Sequence, residues 1–181
     1  MRTLLLENII RGVLTETPPT PEAAHAAELA ESLRRAARRK LGRSLCIREI
    51  DAGSCNGCEL EIYALSNAFY DVERFGLRFV ASPRHADVLL VTGPVTKNMR
   101  VALERTYRAV PDPKWVVAVG DCAFDGGCFA ASYACVGGVG AVIPVDLHIK
   151  GCPPTPRVIL GGLITLLEAN DDSLPRRMSR R

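Results

Sequence analysis

The chain of 181 residues contains no run of the roughly 20 apolar residues that a membrane-crossing helix requires. Its longest late apolar stretch, Val158 to Leu167, falls well short of a span. The opening MRTLLLENIIRGVLTETPP is no signal-peptide core either, because Glu7, Asn8 and Arg11 break it and no small-residue cleavage site follows. Histidine is scarce: His25, His85 and His148 stand alone, without a C-x-x-H or paired-histidine context, so none is assigned as a ligand. A net charge of +3 is too mild to imply nucleic acid. Internal repeats and low-complexity tracts are absent, and seven cysteines leave an odd one over, which excludes complete internal disulfide pairing. These absences describe a soluble chain in a reducing compartment, where clustered cysteines bind metal or do redox chemistry. Any membrane association has to come through partners.

What is present fits one ordinary globular domain with terminal extensions: 48% hydrophobic and 24% charged residues. Positive charge gathers at Arg34, Arg35, Arg38, Arg39, Lys40 and Arg43, and again at Arg176, Arg177, Arg180 and Arg181. Such runs read as a solvated helix face and a basic tail, or as docking sites for an acidic partner or anionic lipid. Residues 1–20 suggest a short amphipathic segment, Leu4 to Leu14, then a proline breaker. Residues 22–42 have helix-favouring composition with Gly42 as a stop, and residues 1–44 are read as an arm outside the core.

The core begins at Leu45. Leu45 to Ile50, Leu77 to Ala81, Val88 to Val91, Trp115 to Val119 and a run around Ala141-Val142-Ile143 read as strands. Helices are expected over Glu59 to Val72 (burying Leu60, Ala64, Leu65, Ala68, Phe69 and Val72), over Thr96 to Val110 with Thr96 as N-cap, and over Arg157 to Glu168. Strands alternating with helices predict an α/β domain with a mostly parallel sheet over residues 45–170, followed by the basic tail 171–181. Loops after parallel strands share one edge, where open sheets bind ligands.

Four cysteines fall in such loops: Cys55 and Cys58 in SCNGCELE, Cys122 in VGDCAFDGG, and Cys152 in KGCPPTP. The C-x-x-C unit can clasp one metal or two corners of a cluster, with Gly57 easing the turn and the helix N-terminus favouring thiolate at Cys58. Alone it could be a redox dithiol, but that leaves Cys122 and Cys152 without a role. Zinc favours compact paired motifs, whereas one pair plus two distant single cysteines suits a [4Fe–4S] cubane, by a modest margin. Cys46 reads as a core residue; Cys128 and Cys135 lie close enough to the site to support its ligands from behind, but packing is the commoner role for such cysteines. Glu59 and Glu61 directly follow Cys58. They could relay protons beside a redox centre, or simply complement the helix dipole.

CNGCELEI, DVERFGLRFVASPRHADVLLVTGPVT, PDPKWVVAVGDCAFDGG and IPVDLHIKGCPPTP together resemble the small subunit of membrane-bound (group 4) [NiFe] hydrogenases of the formate hydrogenlyase type, itself similar to the 20 kDa iron–sulfur subunit of respiratory complex I. The resemblance covers Leu45 to Ala169. It implies a flavodoxin-like fold with helices on both faces of the sheet, and one [4Fe–4S] cluster held by Cys55, Cys58, Cys122 and Cys152 next to the active site of a large subunit. It also implies ferredoxin-like and membrane-embedded partner subunits, a place on the cytoplasmic face of the cell membrane, and a role as the electron-transfer subunit of an oxidoreductase complex. The complex I subunit has two adjacent cysteines at the first motif, so the separated pair here is the hydrogenase-like form. A quinone-reducing complex I-like assembly and a zinc-stabilised structural module are the alternatives.

Overall fold

The computed structural model describes residues 21–169; the expected amphipathic opening segment and the basic tail lie outside them. Helix α1 (Pro21–Leu41) precedes β1 (Leu45–Asp51), α2 (Gly57–Ala64), β2 (Leu77–Phe79), β3 (Val88–Thr92), β4 (Val95–Thr96) and α3 (Lys97–Ala109). Strand β5 (Trp115–Val119), the short α4 (Asp121–Asp125), β6 (Cys135–Gly137), β7 (Leu147–Ile149) and α5 (Pro156–Ala169) complete the order.

Five strands form one sheet in the order β2-β1-β3-β5-β7, every pair parallel, while β4 and β6 make a small antiparallel pair beside it. Setting that small pair aside, the order is the flavodoxin-like one. Both faces are covered, which explains why the central strands are apolar without interruption. Along β3, Val88 and Leu90 enter one core cluster and Leu89 and Val91 the other, as side chains alternate across the pleat. On β5, Trp115, Val117 and Val119 face the first cluster, Val116 and Ala118 the second. The first cluster is closed by α1, α2 and α5 through Leu33, Ile62, Leu163 and Leu167, the second by Leu103 of α3 with Val139 and Ile143. Complete burial of a side chain such as Leu90 stabilises by about 2 kcal/mol.

Helix α1 is not an arm. Its Leu33, Ala36 and Ala37 are buried in the first cluster, while Arg35, Arg38 and Arg39 are exposed. Gly42, with φ of 67°, ends it as the composition implied. Helix α2 is shorter than the periodicity suggested. It stops at Ala64, and its buried residues are Glu59 and Ile62, while Leu60 and Phe69 of the supposed stripe are 60% and 51% exposed. The turns after Ala64 break the 100° repeat, yet Leu65 and Val72 of that stripe still reach the first core cluster, where both are fully buried. The strand expected at 141–143 is also displaced. Val139–Ala141 forms one 3₁₀ turn, and the fifth parallel strand is Leu147–Ile149. Thr96 caps α3 as expected, its Oγ1 accepting from the Met99 amide at 3.4 Å.

Candidate metal centre

The parallel sheet places the loops after β1, β5 and β7 at one edge, and the four motif cysteines with them. Chain reversal from β2 through β1 to β3 also makes this edge the topological switch point, where open α/β sheets leave a crevice.

After β1, Asp51 Oδ1 accepts from the Gly53 and Ser54 amides, both at 2.7 Å, and Ser54 Oγ accepts from the Asn56 amide at 3.0 Å. These turns deliver Cys55 to the surface and Cys58 to the first turn of α2. The left-handed residue between them is Asn56, with φ of 70°, not Gly57. A β-carbon at Gly57 would fit in ordinary contact, 3.5 Å from Cys55 Sγ and 3.9 Å from Pro153, so the turn does not depend on glycine there.

Strands β5 and β7 are tied together just where their cysteines leave. The Gly120 amide donates to Ile149 O at 2.8 Å, the Asp121 amide to Gly151 O at 2.9 Å, and the Gly151 amide to Asp121 Oδ1 at 2.9 Å. Asp121 thereby fixes the Cys122 turn against the Cys152 turn, a positioning role that sequence reading missed although the residue stands inside the GDC motif. Gly120 has φ of 90°, and a β-carbon there would come within 2.6 Å of Cys58 Sγ; one on Gly127 would come within 2.7 Å of Cys122 Sγ. Backbone without side chains therefore flanks two of the thiols.

Cys55 and Cys152 are exposed, whereas Cys58 and Cys122 are partly buried. Burial pushes the Cys58 thiol up to about 12, helped by Glu59 and then by Cys55, Cys122 and Cys152. Burial also raises Cys122, followed by Cys128, Cys152 and Cys55, with a hydrogen bond to the Cys128 thiol adding to it. All four thiols thus share one electrostatic neighbourhood. Burial thus favours the protonated thiol at Cys58, against the thiolate-favouring helix N-terminus expected there; a metal or cluster held by Cys58 would have to displace that proton. Among the described residues no three His, Cys, Asp or Glu side chains close tightly enough to hold a single metal ion.

Of the other cysteines, Cys46 lies on β1 at the opposite end of the sheet near Arg43, Cys135 on β6 pairs with Thr96, and Cys128 is exposed beside Cys122. Glu59 is 5% exposed and Glu61 partly exposed. His25 is exposed on α1 near Glu28, His85 is exposed in a 3₁₀ turn, and His148 stacks edge-on against Phe124 at 4.8 Å. The structure brings no histidine into the thiol group.

Residues 55–166 match the family model of the NADH ubiquinone oxidoreductase 20 kDa subunit. The chain belongs to this family. It is 46% identical over 128 residues to a probable membrane-bound hydrogenase subunit of Pyrococcus furiosus, covering 71% of this chain and 77% of that one. It is also 46% identical over 129 residues to formate hydrogenlyase subunit 7 of Escherichia coli, covering 71% of this chain but only 51%, about half, of that relative. Among solved structures, a chain of the archaeal membrane-bound sulfane sulfur reductase superposes with a TM-score of 0.65 at 38% identity, covering 79% of this chain and 77% of its own. No helix among the described residues is long and apolar enough to cross a membrane.

Proposed function

We propose that this chain is the electron-transfer subunit of a membrane-associated [NiFe]-hydrogenase complex, with one [4Fe–4S] cluster held by Cys55, Cys58, Cys122 and Cys152. The observation that supports it most is the convergence of these four thiols, and no histidine, on the switch-point edge of a sheet whose family is that of a redox-complex subunit. The donor set fits: four thiols are the ligand set of a cubane, and glycine backbone at 120 and 127 leaves side-chain-free space beside Cys58 and Cys122. The separated C-x-x-C favours the hydrogenase-like reading over the complex I-like one. When bound, such a cluster supplies reversible one-electron storage.

The chain's own residues supply everything else. Asp51 and Asp121 set the loops that present the thiols. The buried strands beneath the edge keep the dielectric low, and the Cys128 thiol meets Cys122 and adjusts the electron density at that ligand. Bond chemistry belongs to a large subunit against this edge, with ferredoxin-like and membrane-embedded subunits completing a complex on the cytoplasmic face of the membrane. The relatives' names point to different terminal reactions, hydrogen in two and sulfane sulfur in one, so an electron relay is the part they could have in common.

Anaerobic reconstitution with iron and sulfide tests the reading. The expected product is brown, with about four irons per chain and a paramagnetic resonance signal on reduction that Cys122→Ala and Cys152→Ala each abolish. A colourless protein with stoichiometric zinc, or full retention of the signal in both variants, refutes it.

A further inference from the structure

Next to the C-x-x-C turn a cleft of about 570 Å³ opens between α2 and the ends of β1 and β2, lined by Arg48, Glu49, Asp51, Glu59, Tyr63 and Phe79 among others. Glu59 lines this cleft although it is only 5% exposed. Both of its carboxylate oxygens, together with Oε1 of Glu49 and Nε of Arg48, are buried with no hydrogen-bond partner among the described residues. Asp51 is already engaged by the Gly53 and Ser54 amides. Three carboxylates against one guanidinium leave the lining with two formal negative charges in excess when ionised. Buried polar atoms in native proteins are almost always satisfied, and the one orphan donor beside these three acceptor oxygens, the single N–H at Arg48 Nε, cannot serve all of them, so the rest need a donor from water or from a partner.

We propose that this cleft receives an arginine side chain of a partner subunit, its guanidinium set between Glu49 and Glu59. This rests on the reading of the chain as a subunit of a redox complex. A guanidinium carries five N–H donors in a planar fork, enough to serve all three oxygens at once, and it is more weakly hydrated than an ammonium, so it tolerates a partly dry site better. An anion is repelled by the lining, and a neutral ligand with few donors leaves the oxygens stranded. At the mouth, Tyr63 is 64% exposed, giving the arginine stem an apolar flank and its head an aromatic face. Arginine and tyrosine meeting in a desolvated pocket are the usual composition of an energetic centre in a protein interface. The cost of the empty arrangement shows at Glu49, whose carboxyl is pushed up to about 7 by burial and then by the charge of Glu59. An incoming cation relieves both.

The test compares wild type, E49Q, E59Q and the double variant in the full chain co-expressed with its complex. Affinity for the large subunit is measured by salt-dependent retention, alongside the melting temperature and cluster resonance of the isolated chain. The expected result is a split in sign: the double variant melts no lower than wild type and keeps its cluster signal, yet binds its partner at least ~10-fold more weakly. Titrating the isolated chain with agmatine, a free alkylguanidine, gives a second readout independent of the complex. Wild type should bind agmatine in preference to cadaverine, a diamine of equal charge and similar length, and the double variant should lose that binding at least ~10-fold. Unchanged partner affinity in the double variant, with the cluster and complex intact, overturns the cleft assignment and leaves the relay reading standing. A wild-type chain that holds no cluster and captures no partner refutes both. Equal binding of agmatine by wild type and double variant also overturns the assignment.

Discussion

Two carboxylates are buried at opposite ends of the same sheet, and the chain treats them differently. Asp87, just before β3, is 6% exposed and Glu59, at the cysteine edge, is 5% exposed. Asp87 is fully answered from within: Arg43 Nη1 donates to Oδ2 at 2.8 Å, Arg43 Nη2 to Oδ1, and the Cys46 amide to Oδ2 at 3.0 Å. Glu59 has no partner at either oxygen among the described residues. Equal burial with opposite satisfaction separates a residue that closes the fold from one whose counterpart lies elsewhere. The fork of Arg43 fastens the α1–β1 connection to the start of β3, so Asp87 is explained by architecture alone. Its place in the first turn of α2 suits a carboxylate, but leaves both oxygens of Glu59 unanswered among the described residues.

The widest way to open this comparison is Asp87→Ala. It leaves the Cys46 amide without its acceptor and turns the half-exposed Arg43 fork to water, and should cost about 2 kcal/mol of unfolding free energy in denaturant titrations. The cluster signal of the reconstituted chain should persist; its loss would tie Asp87 to the far edge and erase the distinction. The opposite manipulation, Glu59→Gln, removes a desolvated carboxylate and should raise the stability of the isolated chain by about 1 kcal/mol. A drop comparable to that of Asp87→Ala would mean Glu59 is structurally satisfied after all. A finer instrument is pH. Glu49 ionises near 4.5 when unfolded but holds its proton up to about 7 when folded, through burial, Glu59 and Asp51, with Arg48 opposing. The folded state therefore binds more protons in that window, and stability falls as pH rises from about 4.5 to about 7, then levels. Glu49→Gln should flatten that slope; an identical pH profile would dismiss the strained pair.

Much of the fold was legible because burial on both faces writes itself into sequence. Val88–Thr92 and Trp115–Val119 are apolar at every core position, so their limits were readable to within a residue. Thr96 announced its own helix by the hydroxyl that caps it. The failures have physical causes as well. Leu147–Ile149 carries a central histidine and pairs on one side only, so it lacks the continuous apolar signature of an inner strand, and a more apolar neighbouring run drew attention instead. The helix after Cys58 was read too long because apolar residues in successive turns imitate helical spacing. Helix α1 looked like an arm because its charges are numerous, while its contribution to the core needs only Leu33 and two alanines. At the candidate centre, the loops holding Cys55, Cys58, Cys122 and Cys152 could be located from strand ends. The lashing of Cys122 to Cys152 through Asp121 and Gly151 could not, since it depends on β5 and β7 being neighbours. The cleft beside Glu59 was invisible for the same reason: Glu49 and Glu59 meet only once α2 folds back along β1.

The lengths of the strands have a consequence for how this molecule lives among copies of itself. The three inner strands run five to seven residues, but both border strands, β2 and β7, run only three. A sheet border offers unpaired amides and carbonyls to any passing strand, and its hazard grows with its length. Here each border can template barely one turn of the pleat, and Arg78 stands exposed at the middle of β2. The sheet is thereby poorly suited to growing by edge-to-edge addition, a protection that matters most for a chain synthesised singly before others cover it.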